Sequence, residues 1–498
     1  MHLSSFFLAV AILPCVSAFY PYSPPVTPSG PDAKRSVFHN WLEGRVDHGD
    51  STEPPTLTIK RTAPRDGIHP HVRNVQEADY ITRKYRSRGN SGPDIDGREA
   101  LVEVERSIQQ GTPVKRSNNY PIVTAAQPTF TNSMAVDQDG TDFSYFSIMK
   151  FGPRGKDIYM LIDTGSASTW VMSDTCTSAV CKMHNTFGKS DSDTLNISTT
   201  PWSVAYGTGN VSGVIGKDTV AFAGLSTPLS FGLGSNISDE FRSYPIDGIL
   251  GLGRPQSNSL KTPTLMESLV SQKLIKSNVF AVNLQRNSDG SSDGVVTFGD
   301  WDKSKFDGDL SWIDSVSGSD LWEIPISDVA VDNNAGKFAG KTAIIDTGTS
   351  MILLPADDAT KLHSLFPGMK HNGESFELPC SSTQMIQFTL GGVTYAVPPK
   401  DYLGKATDNG YCASNIIGRQ TFGTNQWLIG DTFLKNVYSV FDLDKNRIGF
   451  GKKGKAVNAQ NASASSSGQS PSTSSAGPPP THTPSAAVAD KSSKSSLQ

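Results

Sequence analysis

Residues Leu161 to Trp170 read LIDTGSASTW. Asp163 stands directly after the apolar run Tyr159-Met160-Leu161-Ile162 and directly before a Gly-Ser turn. Such a run reads as a buried strand, so the sequence sets a carboxylate at a buried strand's end. A charge there is costly unless it is paired or hydrogen-bonded. Taken alone, Asp-Thr-Gly is an ordinary turn: Asp and Thr bond their own backbone, and Gly supplies positive φ. The stretch is therefore either a capped loop or a site of chemistry, and the choice rests on what lies further along.

The stretch has a twin. Ile344-Ile345-Asp346-Thr347-Gly348-Thr349-Ser350 repeats the apolar pair, the Asp-Thr-Gly and a hydroxyl residue, 183 residues later. A second motif follows each copy: Gly248-Ile249-Leu250-Gly251 after the first, and Trp427-Leu428-Ile429-Gly430 after the second. Two motifs recurring in one order at nearly one offset imply two similar β lobes related by an approximate two-fold axis. Each lobe would present one Asp-Thr-Gly loop, with both carboxylates meeting at the seam, where ligand clefts tend to form.

Two carboxylates at that distance cannot both ionise easily, so one proton is shared over a wide acidic range. Such a pair can hold a water: the ionised partner takes its proton, and the protonated partner polarises the group attacked. Gly165 and Gly348 allow close backbone approach. Ser166 and Thr349 are expected to hydrogen-bond the outer carboxylate oxygens, and Thr164 and Thr347 to bind across the pair and hold the loops together.

The rest of the chain bounds this reading. Phe6 to Leu13 is an apolar run followed by the small residues Val16-Ser17-Ala18, so 1–18 reads as a signal peptide, although its front carries no Lys or Arg. The run is too short to span a bilayer. Residues 19–116 are Pro-rich and hold 15 Lys/Arg and 13 Asp/Glu, against a net charge of -4 for the whole chain. This basic front segment on an acidic body reads as a propeptide cut after Lys115-Arg116, with Lys34-Arg35 and Lys60-Arg61 as further dibasic sites. The acidic net charge gives no pointer to nucleic acid.

From 117 to 455 short runs of branched and aromatic residues alternate with Gly/Asn/Asp clusters, which is mainly β sequence. Phe143–Phe151, Ile158–Ile162, Val295–Phe298 and Val437–Phe441 are expected strands, while Thr264–Val270 and Ala356–Phe366 carry helical spacing. The lobes are expected at 117–300 and 301–455. Residues 456–498 are Ala/Ser/Thr/Pro/Gly with little to bury, a disordered tail lacking the apolar end of a lipid-anchor signal.

Of five cysteines, Cys15 would leave with the signal peptide. Cys176, Cys181, Cys380 and Cys412 remain, an even number in an exported chain. Neighbour pairing is the simplest of three connectivities, and Cys-x4-Cys without a second close pair is poor zinc spacing. None of the nine histidines sits in ligand spacing, so no metal is expected. Sequons at Asn196, Asn210, Asn236 and Asn461 agree with the secretory route.

At this point the chain closely resembles the pepsin-like aspartic endopeptidases, from about Tyr145 to Lys452. The likeness is carried by the two Asp-Thr-Gly loops, the two apolar-apolar-Gly segments and the run Phe441-Asp442-Leu443-Asp444-Lys445-Asn446-Arg447-Ile448-Gly449-Phe450. Ala205-Tyr206-Gly207-Thr208-Gly209 is similar to the family's flap hairpin, and Trp170 to the tryptophan that bonds the flap tyrosine. Cys176–Cys181 and Cys380–Cys412 sit where two family disulfides sit. The resemblance implies a mainly β, bilobal pepsin-like fold with Asp163 and Asp346 as catalytic residues. It also implies a secreted, cofactor-free, monomeric zymogen that cleaves protein and peptide substrates. The propeptide would act as an intramolecular inhibitor, and pepstatin-type compounds would inhibit the mature form. Wall retention through the tail and vacuolar sorting are the alternative addresses.

The chain departs from the family in three places. No cysteine lies between Cys181 and Cys380, so a short disulfide loop is missing. Phe151-Gly152-Pro153-Arg154 replaces a usual Gly-Thr-Pro. Thr208 stands where secreted fungal relatives often carry Asp, so hydrophobic or aromatic residues are expected on both sides of the cut. Two other classes compete. A catalytically silent pepsin-fold binding protein would be expected to damage one Asp-Thr-Gly loop, and both are intact. A glycosidase also uses two carboxylates but does not predict the twin loops.

Overall fold

The computed structural model describes residues 122–206 and 209–453. The expected signal peptide, propeptide with its cut after Arg116, tail with Asn461, and the flap residues Gly207 and Thr208 lie outside the described residues.

Asp163 ends the strand Lys156–Asp163, whose last four residues are all buried. Tyr145–Phe151 pairs with it antiparallel on one side and Gly248–Gly251 parallel on the other. A strand covered on both faces reads as a continuous apolar run rather than an alternating one. That is why Met160, Leu161 and Ile162 stand in succession.

The sequence repeat is a repeat of strand pairing. In the first half, Tyr145–Phe151, Lys156–Asp163, Gly248–Gly251, Trp170–Met172 and Leu225–Ile237 are neighbours in that order. Successive pairs run antiparallel, parallel, antiparallel and parallel. In the second half, Glu323–Ile326, Lys341–Ile345, Gln426–Ile429, Ile352–Leu354 and Ile416–Gly418 follow the same four senses. In both lobes the apolar-apolar-Gly strand lies between the strand leading to the aspartate and the strand leaving it. Its glycine must come close to the loop between those strands. A Cβ on Gly251 would stand 2.4 Å from the Ala167 carbonyl carbon, and one on Gly430 only 1.9 Å from the Thr349 oxygen.

Two features join the lobes. Leu161 and Ile249 of the first half share one buried cluster with Ile344 and Leu428 of the second, which makes the seam apolar around the aspartate strands. A six-stranded sheet draws on both halves: Val279–Asn283 pairs antiparallel with Val437–Asp442, and Phe280 stacks on Phe441 with centroids 4.7 Å apart. Beside this sheet Arg286 holds Asp401 in a fork, Nε to Oδ1 at 2.8 Å and Nη2 to Oδ2 at 2.9 Å. Lys435 stands 3.7 Å from Asp401 and 3.8 Å from Asp142.

The expected strands form with small shifts at their ends, as Tyr145–Phe151, Lys156–Asp163, Val295–Phe298 and Val437–Asp442. One expected helix is Leu265–Ser271, started by a capping box in which Thr264 and Glu267 exchange backbone bonds. The other ends earlier than expected, as Ala356–His363. Both disulfides join sequence neighbours: Cys176–Cys181 with Cα atoms 6.0 Å apart, and Cys380–Cys412 at 5.0 Å. No helix among the described residues is long and apolar enough to cross a membrane.

His363, at the end of the second helix, is buried. Its Nδ1 lies 2.7 Å from the Ala359 oxygen and its Nε2 2.9 Å from Ser414 Oγ. The ring stacks on Phe376 at 3.9 Å, with His371 stacked on the same phenyl at 4.5 Å. Burial pushes the imidazole down to about 4, with the neighbouring His371 charge acting in the same direction. An unfolded histidine takes its proton near pH 6.5, so between these values the unfolded chain binds the extra proton. Stability from this residue is therefore present above about pH 6.5 and lost as pH falls through about 4, a difference of about 3 kcal/mol. His363→Gln is expected to flatten the pH dependence of unfolding free energy across that window by a comparable amount. Urea melts at half-unit pH steps measure it, and an unchanged slope would show that another group carries the dependence.

Candidate active site

Asp163 and Asp346 are fully buried, as the strand-end positions require. Each is held by backbone. Gly165 N–H donates to Asp163 Oδ1 at 2.9 Å, and Gly348 N–H to Asp346 Oδ1 at 2.9 Å, so each loop folds back on its own carboxylate. Gly165 N–H also donates to Asp346 Oδ1 at 3.0 Å. One amide thus bridges two carboxylates that are 183 residues apart in the chain, which brings their Oδ1 atoms to a common point. Thr349 Oγ1 donates to the other oxygen, Oδ2, of Asp346.

The threonines cross between lobes. Thr164 Oγ1 donates to the Ile345 carbonyl at 2.9 Å and accepts from Thr347 N–H at 3.0 Å. Reciprocally, Thr347 Oγ1 donates to the Ile162 carbonyl at 2.8 Å and accepts from Thr164 N–H at 3.1 Å. Each hydroxyl uses both its donor and its acceptor capacity on the opposite strand. The loops are also seated from behind: Leu252 N–H donates to the Asp163 carbonyl at 2.8 Å, and Asp346 N–H to the Ile429 carbonyl at 3.0 Å. Ser166, in the first loop, accepts from Ser168 N–H at 3.3 Å, and its carbonyl accepts from Gly253 N–H at 2.9 Å.

A long hairpin, Asn196–Tyr206 and Gly209–Phe222, lines the same cleft as the first loop through Ala205 and Asn210, and Tyr206 pairs with Gly209 near its end. Trp170, seven residues after Asp163, is fully buried and packs against Phe241 at 5.4 Å and Trp202 of the hairpin at 6.4 Å. Asn196, Asn210 and Asn236 are exposed. Asn210 and Asn236 lie on adjacent strands, two residues out of register: Ser212 opposes Asn236, and Ser238 Oγ donates to the Asn210 side chain at 3.2 Å.

A cleft of about 620 Å³ opens beside the first loop, with Gly165, Ser166, Ala205, Asn210, Leu321 and Phe422 in its walls. Sequence reasoning did not single out three of its wall segments. They are Ser257–Lys261 after the first apolar-apolar-Gly strand, Ser319–Glu323 before the second aspartate strand, and the stretch holding Phe422 and Gln426. None carries a motif. Their only signal is position, since each lies just before or just after a repeated strand.

The family model described as eukaryotic aspartyl protease matches residues 144–453. A probable aspartic-type endopeptidase CTSD of Arthroderma benhamiae is 50% identical over 67% of this chain and 66% of its own length. The chain therefore spans just under two thirds of that relative. The aspartic-type endopeptidase ctsD of Aspergillus fumigatus is 43% identical over 74% of this chain and 77% of its own length. Pepsin A of Bos taurus is 34% identical over 63% of this chain and 85% of its own length. The chain belongs to the eukaryotic aspartyl protease family.

The crossed threonines yield a measurable coupling. Thr347→Val keeps the side-chain shape but leaves the buried Thr164 N–H and Ile162 carbonyl without that hydroxyl, at a cost of about 1–3 kcal/mol. Thr164→Val should cost a similar amount. Because the two hydroxyls serve each other's strands, the double variant is expected to lose less than the two single losses added together. Urea unfolding of the four proteins tests this, and strictly additive losses would show that the loops are held independently.

Proposed function

We propose that the chain is a secreted aspartic endopeptidase made as a zymogen, with Asp163 and Asp346 as its catalytic pair. The observation that carries this reading is the single Gly165 N–H shared by both carboxylates, which holds them close enough to share a proton. A water bound between them would be the nucleophile. The ionised aspartate takes a proton from the water while the resulting hydroxide forms a bond to the peptide carbonyl carbon. The protonated aspartate gives its proton to the carbonyl oxygen. Collapse of the tetrahedral species breaks the C–N bond, and the amine leaves with the proton held by the first aspartate. As the C=O re-forms, one hydroxyl of the tetrahedral carbon returns its proton to the second aspartate, so both aspartates end in their starting protonation states. Which residue begins as base is a property of the pair rather than of either member.

Thr164, Gly165, Ser166, Thr347, Gly348 and Thr349 are supports of the pair in this reading. Tyr206, Gly207, Thr208 and Trp170 belong to a flap that closes over substrate. The segment 1–18 would direct export, and 19–116 would lie over the cleft until acid weakens its attraction to the body and it is cut away after Arg116. The lobes would be 117–300 and 301–455, with 456–498 a Ser/Thr-rich tail. Substrates would be proteins and peptides with hydrophobic or aromatic residues flanking the cut.

The deciding measurement is cleavage of denatured haemoglobin or casein from pH 2.5 to 7 by protein cut after Arg116. Acid-range cleavage is expected, abolished by pepstatin and reduced by roughly 10²–10⁴-fold or more in Asp346→Asn. No cleavage by folded, processed protein would favour a silent binding protein instead. A second expectation concerns Asn210, exposed at the cleft wall. A glycan there should hinder folded protein substrates more than short peptides. Asn210→Gln is expected to raise the ratio of folded-protein to peptide cleavage, and an unchanged ratio in a protein shown to carry the glycan would sink the idea.

A further inference from the structure

Three charged side chains line the cleft: Lys261, Asp320 and Glu323. They are not equivalent. Glu323 is buried, and its Oε1 accepts from Thr342 Oγ1 at 2.6 Å and Gln426 Nε2 at 3.0 Å, so it is a structural part of the wall. Asp320 lies on the second half of the chain and acts electrostatically on Arg254. Lys261 is exposed, and among the described residues no carboxylate lies within ion-pair distance of it. Among the described residues it is the cleft's one cation, and none of them gives it a fixed counter-charge.

The backbone beneath Lys261 is fixed with respect to the aspartate loop. Lys261 takes φ = 56°, a left-handed conformation uncommon for a side chain of this kind. Buried Asn258 spans the turn: its Oδ1 accepts from Leu260 N–H at 3.0 Å and its Nδ2 donates to the Thr262 carbonyl at 2.6 Å. Leu260 is buried beside it. Ser259 N–H donates to Ser168 Oγ at 2.9 Å, and Trp202 Nε1 donates to Ser259 Oγ at 3.0 Å. Ser168 is five residues past Asp163, and Trp202 lies in the hairpin that lines the cleft. The lysine therefore rises from a platform tied to both the first loop and the hairpin.

We propose that Lys261 is a specificity-determining residue that holds an acidic side chain of the substrate at one position along the cleft. The proposal rests on the endopeptidase reading above. An extended peptide advances about 3.3 Å per residue and turns successive side chains to opposite faces, so a cation fixed beside the cleft meets one substrate position and not its neighbours. An ammonium attracts a carboxylate but has little preference between a neutral glutamic acid and glutamine. A free Glu side chain titrates near pH 4.3, so the selectivity is absent at pH 3 and present at pH 5. The negative charge of Asp320, on the same cleft wall, opposes it.

The test is a set of peptide pairs, each differing by Glu against Gln at one position around a common cut, with kcat/KM measured at pH 3.0 and 5.0 on the processed protein. At one position the Glu/Gln ratio is expected to rise from about 1 to roughly fivefold between the two pH values, the upper range for a partly exposed ion pair. Lys261→Gln should abolish the rise, Lys261→Arg should keep it, and Asp320→Asn should enlarge it. A ratio that is flat at every position, or a rise that survives in Lys261→Gln, overturns the proposal while leaving the endopeptidase reading intact. Failure to cleave any peptide at either pH overturns both.

Discussion

The crossed hydrogen bonds of Thr164 and Thr347 are the constraint on which the rest of the site depends. Two fully buried carboxylates repel each other and have lost most of their contact with water. Four bonds of 2.8–3.1 Å fasten each threonine to the opposite aspartate strand. Gly165 N–H then has a fixed place from which to reach both carboxylates. The apolar cluster of Leu161, Ile249, Ile344 and Leu428 keeps the same seam dry, which strengthens every polar contact made across it.

The twin architecture was legible in the sequence because one local problem is solved twice. A carboxylate at the end of a strand covered on both faces needs a continuous apolar run before it. The loop after it needs a glycine on the strand that passes behind. Those demands fix residue types at fixed spacing, and at both Gly251 and Gly430 an added Cβ would clash with the backbone of the loop, at 2.4 and 1.9 Å. The five-strand order common to both halves is the spatial form of that spacing. The pairing of Cys176 with Cys181 and of Cys380 with Cys412 was legible in a weaker sense, as the simplest of three choices.

Other parts left no local trace. The six-stranded sheet takes Val279–Asn283 from one half and Val437–Asp442 from the other, and nothing in either apolar run specifies its partner. Arg286, Asp401 and Lys435 are single charged residues in unrelated segments, so their convergence is a product of tertiary structure alone. The cleft walls are similar. Ser257–Lys261 reads as an ordinary polar loop, and only its bonds to Ser168 and Trp202 give it a place beside the site. The helix Ala356–His363 stops short of its apolar pattern because Leu365 and Phe366 bond back to Leu362 and His363, in a tighter turn.

The two kinds of tie between the lobes differ in what acid does to them. Away from the cleft, the halves are joined by charge: Arg286 with Asp401, and Lys435 with Asp142. Such a tie weakens when its carboxylates take up protons. Burial raises Asp142 in particular above the ordinary carboxylate range, against the opposing pull of Lys435. At the candidate dyad the tie is made of threonine hydroxyls, amide N–H groups and carbonyls, none of which titrates in the acid range. The carboxylates they surround can therefore gain and lose a proton without the frame changing its bonding. A site whose chemistry requires a change of protonation needs supports that do not change with it, and the residue types at 164 and 347 meet that requirement where an ion pair could not.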